Sequence, residues 1–98
     1  MSKPDAIGLD QTVSKSESFV ESSVDGEAIL MHLDEGSFSS LKSTGLRIWE
    51  MLDRPKPVST ICDALLEEFD VDEAVCRQQT VEFLEGLRSR GLIEVGGG

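Results

Sequence analysis

Residues 35–52 read EGSFSSLKSTGLRIWEML, and within this stretch the spacing of apolar residues changes from that of a strand to that of a helix. Serine fills three of the four positions before Leu41, so this part adds little to a core and leaves its backbone easy to reach. Four later residues have the i, i+3, i+4, i+7 spacing of one helix face. They are Gly45, Ile48, Trp49 and Leu52. The stretch predicts a lightly guarded strand that runs directly into a helix, with Trp49 in the core.

Two more strands are predicted before this stretch, and tight turns join them. A strand-tolerant segment begins at Ser16 and ends at Asp25-Gly26, a pair that accepts the positive φ of a two-residue hairpin turn. Residues 27–34, EAILMHLD, alternate between two faces, with His32 expected at the surface. Glu35-Gly36 marks the second turn. Because both connections are short, the three strands predict an antiparallel meander with two exposed edges.

Two further helices are predicted after residues 53–57, DRPKP, whose prolines end the first helix. Ser59 is a candidate N-cap of the second helix, Asp72 opens the third, and Gly91 fits the left-handed position after it. The apolar stripes are Ile61, Cys62, Leu65, Leu66 and Phe69 on the second helix, and Cys76, Thr80, Phe83, Leu84 and Leu87 on the third. Three strands followed by three helices predict an α+β fold of winged-helix shape.

The length of 98 residues is that of one domain. We expect residues 1–15 to form a disordered N-terminal tail, residues 16–95 the folded domain, and residues 96–98 a frayed C-terminus. No apolar run approaches the roughly 20 residues of a membrane span, and the N-terminus lacks a secretory signal, so we expect a cytoplasmic protein. Cys62 and Cys76 are then expected as reduced, buried residues.

Charge and residue types argue against several classes of function. Nine basic and nineteen acidic residues give a net charge of −10, which repels the phosphate backbone of nucleic acids. His32 is the only histidine, so a two-histidine metal site cannot form, and the chain has no glycine-rich phosphate loop before a helix. The cysteines lack a histidine partner. We therefore expect no catalytic residues, no metal and no cofactor.

Taken in order, these residues resemble the PqqD-like family, also called RiPP recognition elements, which are the peptide-recognition domains of pathways that modify ribosomally made peptides. The resemblance runs from about Asp25 to Glu94. The matching positions are Asp25-Gly26, Leu33-Asp34, Gly36, Phe38, Leu41, Gly45, Ile48-Trp49, Leu52, Val58, Leu65, Phe69, Phe83-Leu84 and Arg90-Gly91-Leu92. Two departures concern the peptide that is bound: Lys42 replaces a frequent asparagine, and positions 39 and 40 are serine where a second aromatic is common.

The resemblance implies a non-catalytic peptide chaperone. Such domains capture the leader segment of a precursor peptide and present it to a modifying enzyme, such as a radical-SAM enzyme, a protease or a cyclase. By resemblance the leader adds as an antiparallel strand to residues 37–41, in the cleft beside the third helix. The predicted peptide-binding residues are Ser37, Phe38, Ser39, Ser40 and Leu41 of the strand and Cys76, Gln79, Thr80 and Phe83 of the third helix. The acidic charge predicts a leader rich in Lys and Arg.

The absence of guards on residues 37–41 agrees with that mode of binding. Exposed edge strands are usually blocked by charge, proline or a bulge, and none of these occurs there. Strand addition needs such an edge, because main-chain bonds give affinity and neighbouring pockets give specificity. Three alternatives stay open. The domain could be a winged-helix DNA-binding regulator, a structural subunit whose edge an enzyme covers permanently, or a domain whose edge is covered by its own N-terminal tail.

Overall fold

The structure is a computed structural model that describes residues 7–17, 19–34 and 36–96. Within these residues the chain forms six strands and three helices. The elements are β1 (Thr12–Lys15), β2 (Phe19–Val24), β3 (Glu27–His32), β4 (Phe38–Lys42), α1 (Thr44–Met51), β5 (Lys56–Pro57), α2 (Val58–Glu68), α3 (Glu73–Ser89) and β6 (Ile93–Gly96). The α+β class and the meander followed by three helices are confirmed.

The meander is the antiparallel sheet β2-β3-β4. Asp25 and Gly26 have φ values of 45° and 81°, which is the left-handed pair that a two-residue hairpin turn requires. In β3, alternate residues are buried on the face that meets the helices, namely Ala28, Leu30 and His32. Since β3 lies in the centre, β2 and β4 are the two edges of this sheet.

His32 is buried, with 5% of its surface exposed, so the prediction of a surface histidine is wrong. The strand alternation directs its ring inward, where Nε2 lies 3.2 Å from Ser39 Oγ of β4. A polar side chain can be buried when it finds such a hydrogen-bond partner.

A second sheet, β5-β1-β6, is formed in part by residues of the predicted tail. The structure differs from that prediction over residues 7–15, because β1 pairs with both β5 and β6 and places Val13 in the core. Ile7 is also buried, and its N–H donates to Glu85 Oε2 at 3.1 Å. At the other end, Gly96 pairs with Thr12 as the last residue of β6. Residues 1–6 and 97–98, at the predicted tail and frayed end, lie outside the described residues.

The N-terminal segment also explains where α2 begins. The helix starts at Val58, one residue before the predicted cap Ser59. The Val58 N–H donates to Gln11 O and the Ser59 N–H to Leu9 O, both at 2.9 Å. These bonds satisfy two of the free N–H groups of the first turn, so a side-chain cap is not needed there.

The other helix ends follow the sequence pattern. The Asp72 side chain accepts hydrogen bonds from Ala74 N at 3.1 Å and Val75 N at 3.3 Å, as expected for the N-cap of α3. Gly91 follows α3 with a φ of 76°. In the described part of the chain, no helix has the length and apolar character needed to cross a membrane.

The core lies between the sheets and the helices, with Trp49 at its centre. Trp49 is fully buried, as predicted, and Phe19 meets its ring edge-on at 5.3 Å between centroids. Lys15 Nζ lies 4.5 Å from the centre of the tryptophan ring. Cys62 and Cys76 are buried free thiols, which also agrees with the sequence.

Candidate functional site

The backbone groups of β4 point alternately towards β3 and towards open space. In a two-residue hairpin the residues that flank the turn, Val24 and Glu27, exchange hydrogen bonds, so the next residue of β3 directs its backbone groups towards β4. The His32 N–H confirms this direction, since it donates to Ser37 O at 2.9 Å. By the register Leu30↔Ser39 and Ala28↔Leu41, Ser39 and Leu41 direct their backbone groups towards β3.

Phe38, Ser40 and Lys42 consequently direct their N–H and C=O groups away from the sheet. Among the described residues no further strand pairs with β4, and none of these groups has a backbone hydrogen bond. Each residue offers one donor and one acceptor, spaced as in half of an antiparallel ladder. The edge is therefore ready to pair with another extended chain.

The side chains of β4 point alternately to the two faces of the sheet. Ser39 and Leu41 are buried against the helices, whereas Phe38 is 68% exposed on the outer face of the meander. Ser39 Oγ accepts a hydrogen bond from Arg90 Nη1 at 3.3 Å and lies 3.2 Å from His32 Nε2. Two of the five predicted strand residues thus hold β4 in place, and their contribution to a site comes through the strand they fix.

Beside the helices lies an open groove of about 230 Å³. It is lined by Thr44, Gly45, Ile48, Leu65, Phe69, Val71, Cys76, Gln79, Thr80 and Phe83. All four predicted residues of the third helix are in this set, while the five predicted residues of the strand are not. Phe69 and Val71 are large apolar residues left partly exposed at the groove, which gives it a surface suited to apolar side chains.

The polar residues of the groove have different roles. Gln79 is exposed and can turn its amide towards a ligand, whereas Thr80 is buried. Burial raises the pKa of the neighbouring Cys62 thiol, and a hydrogen bond with the Thr80 side chain opposes part of that shift. Cys62 is thus held as a neutral thiol, which is the unreactive form.

Two contacts position α3 beside the strand and the start of α1. Arg90, at the C-terminal end of α3, hydrogen-bonds Ser39 of β4. Phe83, about two turns earlier, packs so closely on Gly45 of α1 that a Cβ there would lie 3.0 Å from Phe83 Cε1. β4 passes into α1 through Ser43, which has a φ of 57°, and Thr44, the first residue of α1, is the first residue along the chain that lines the groove.

An exposed ion pair joins α1 to α2, two of the helices that line the groove. Arg47 Nε donates to Glu68 Oε1 at 2.8 Å and Nη2 donates to Oε2 at 2.7 Å, a two-point contact. The hydrogen bond lowers the pKa of the Glu68 carboxyl. Ile48 and Leu65, which line the groove, lie on these same two helices.

The part of the groove that comes from α1, from Leu65 of α2 and from the connection between α2 and α3 was not predicted from the sequence. Gly45, Leu65 and Phe69 were assigned to apolar stripes, and only the packing of the helices shows that they border an opening. Val71 carried a usable signal, since it is an apolar residue between Asp70 and Asp72 in a connection. In residues 7–17, 19–34 and 36–96, no cluster of three or more His, Cys, Asp or Glu residues could hold a metal ion.

Comparisons with known proteins agree with this architecture. In solved structures, one match is "TbiB1 in Complex with the TbiA(beta) Leader Peptide", with a TM-score of 0.77 and 32% identity, covering 83% of this chain and 94% of that one. A second is "Lasso peptide synthetase B1 complexed with the leader peptide", with a TM-score of 0.70 and 14% identity, covering 84% and 96%; at that identity it supports the fold alone. No curated protein sequence matches significantly.

The family comparison decides the assignment. Residues 27–93 match the model of the family described as "Coenzyme PQQ synthesis protein D (PqqD)". The matched segment starts with β3 and ends with the first residue of β6, so it includes β4, the groove and all of α3. The resemblance inferred from the sequence is confirmed, and the chain belongs to the PqqD family.

Proposed function

We propose that this protein recognises the leader segment of a ribosomally made precursor peptide and has no catalytic role of its own. The leader adds to β4 as an antiparallel strand, and some of its side chains enter the groove beside α3. The observation that carries the proposal is the outer edge of β4, where Phe38, Ser40 and Lys42 direct backbone groups away from the sheet and no described strand pairs with them. The apolar groove begins at Thr44, two residues after β4 ends. TbiB1, which is 32% identical, was solved with a leader peptide.

In this proposal, the edge of β4 and the groove contribute differently to binding. Main-chain bonds along β4 fix the direction of the leader whatever its sequence, whereas the groove selects side chains. On the added strand, alternate side chains project to the helix side of the sheet and the others lie beside Phe38 and Ser40 on the outer face. The proposed binding residues on the strand are Ser37, Phe38, Ser39, Ser40 and Leu41; of these, Phe38 and Ser40 act through their outward backbone groups, and the other three hold the strand in its sheet. On the third helix they are Cys76, Gln79, Thr80 and Phe83.

The N-terminal segment supports an open edge. Residues 12–15 pair with β5 and β6 in the other sheet, and the carbonyls of Leu9 and Gln11 accept bonds from the start of α2. This part of the N-terminal segment therefore does not cover β4. The alternative of DNA binding has less support, because the net charge of −10 opposes it.

We further propose that the bound leader is presented to a modifying enzyme in the cytoplasm, such as a radical-SAM enzyme, a protease or a cyclase. The acidic surface favours a leader rich in Lys and Arg, which it would attract over distance. This part rests on the family and on charge, and it leaves the modification itself open.

The test is a titration of the ¹⁵N-labelled protein with the synthetic TbiA(beta) leader and, where a precursor peptide is encoded beside its gene, with the leader of that neighbouring precursor. We expect amide shift changes at residues 36–42 and along α3, and few changes in β1 and β6. If neither peptide causes shifts, the proposal fails. Shifts confined to other surfaces would place the binding site elsewhere.

A further inference from the structure

A glycine lies in the interior of α3 without a structural reason for it in the free protein. Gly86 is exposed and is followed by a further turn of α3, which ends at Ser89. Apart from proline, glycine is the least favourable residue at such a position. Glycine is normally kept where a positive φ or a close contact requires it, and both reasons can be checked here.

Neither reason applies to Gly86. A Cβ added to it would have no atom within 4 Å, and its φ is not in the left-handed region. Gly45 and Gly91 differ from it in this respect. At Gly45 an added Cβ would lie 3.0 Å from Phe83 Cε1, and Gly91 has a φ of 76°. Any helix-forming residue would fit at position 86, and most would stabilise α3.

The position of Gly86 on the helix indicates what the missing side chain leaves open. Phe83, Gly86 and Arg90 have the i, i+3, i+7 spacing of residues on one helix face. Phe83 packs on Gly45 at the start of α1, and Arg90 bonds to Ser39 of β4. Gly86 therefore lies between two residues that both reach towards the β4–α1 segment.

We infer that Gly86 is a clearance residue: it lets the main chain of a peptide strand added to β4 pass close to α3. The inference rests on the proposed function and adds a residue that determines which chains fit. An extended peptide lying between β4 and α3 has the outward groups of Phe38 and Ser40 on one side and Gly86 on the other. Where a helix carries a side chain, a peptide backbone must stay further away, and glycine removes that limit.

The experiment compares Gly86→Ala and Gly86→Leu with the wild-type protein. In the free protein we expect Gly86→Ala to raise Tm by about 3–8 °C, because the helix gains propensity and nothing is displaced. Affinity for whichever of the two leader peptides the wild type binds, the TbiA(beta) leader or that of a neighbouring precursor, is measured by calorimetry. It is expected to fall about tenfold for Gly86→Ala and about a hundredfold for Gly86→Leu. A higher Tm together with a lower leader affinity is what clearance predicts, because substituting a residue with only a structural role would change Tm and affinity in the same direction.

Gln78→Ala and Gln78→Leu are the matched controls. Gln78 is exposed on the same helix and does not line the groove, so these variants are expected to bind as the wild type does. If the wild type binds the leader and both Gly86 variants bind it equally well, the clearance inference is overturned and the proposed function stands. If the wild type binds neither the neighbouring leader nor the TbiA(beta) leader, the proposed function fails and the inference fails with it.

Discussion

Replacing Ser40 with proline tests the outer edge of β4 without removing a hydrogen bond that holds β4 in its sheet. The Ser40 N–H points away from β3, so proline removes a donor that the folded protein does not use internally. Proline is tolerated in edge strands at positions of this kind. The internal loss is the exposed hydrogen bond from Ser40 Oγ to Glu27 Oε1 at 3.0 Å. We expect the free energy of unfolding to fall by no more than about 1 kcal/mol.

Binding is expected to suffer more than folding. One main-chain hydrogen bond to the leader is lost, which costs about 1 kcal/mol net. The proline ring also occupies the space where the leader carbonyl would approach, so it holds the two chains apart and weakens the neighbouring bonds by a similar amount or more. A total of about 2–3 kcal/mol corresponds to a roughly 30- to 150-fold weaker Kd. That is a large share of the −8 to −10 kcal/mol or so expected for strand addition of this length.

Ser23→Pro supplies the matched control, because it makes the same change on the opposite edge of the same sheet. Ser23 pairs with Ala28, and by the alternation in β2 its N–H also points away from β3. Calorimetric titration with the leader and urea unfolding should be carried out on both variants. A folded Ser40→Pro protein with wild-type affinity would refute strand addition to β4. Equal weakening by Ser23→Pro would show that the effect is not specific to that edge.

Two further predictions concern charge. Glu68→Gln removes the ion pair with Arg47, whose hydrogen bond lowers the pKa of the Glu68 carboxyl. Because the pKa is lowered in the folded protein, the pair stabilises the fold at neutral pH. That contribution is lost as the pH falls below 4.5, the ordinary pKa of a glutamate. Urea unfolding should find the variant less stable than wild type at pH 7 and the difference smaller in acid; a constant difference would contradict the assignment. Leader affinity should fall as salt rises from 50 to 500 mM or so, because the protein carries a net charge of −10, and a salt-independent Kd would exclude a basic leader as the reason for binding.

The meander and the helices could be predicted because their signals are local. Asp25-Gly26 specifies a hairpin by itself, and the change of period after Leu41 marks the passage from β4 to α1 within a few residues. The second sheet has no such signal. Its strands have between two and four residues, and β1 finds its partners at residues 56–57 and 93–96, far along the chain. Only Val13 of β1 is fully buried, which is too little for a periodic pattern.

His32 shows a different limit of sequence reasoning. Alternation along β3 correctly places His32 and Met31 on opposite faces of the sheet. Both faces carry apolar residues, however, so the sequence does not indicate which face meets the helices. The partner that permits burial, Ser39, belongs to the next strand, and Arg90 joins the same hydroxyl from α3. Such a network depends on three elements, so no single segment predicts it.

The two halves of the site were also predictable to different degrees. The exposed edge follows from the lack of charge, proline or bulge in residues 37–41, which is visible in the sequence. In the structure, Lys42 is the last residue of β4, so one basic residue lies at the end of the exposed edge. The groove depends on the distance between helices, and Gly86 becomes informative only when an added Cβ is seen to meet nothing.

An unpaired edge can persist only if the rest of its own chain has better partners. Here the N-terminal segment is the nearest competitor in sequence, since a few residues separate β1 from the meander. It is held elsewhere by ladder pairing with β5 and β6, by the bonds from Val58 and Ser59 to Gln11 and Leu9, and by the burial of Ile7. Moving it to β4 would break these contacts and would expose Val13. The small second sheet thus supports the proposed recognition, because it keeps this segment away from the outer edge of β4.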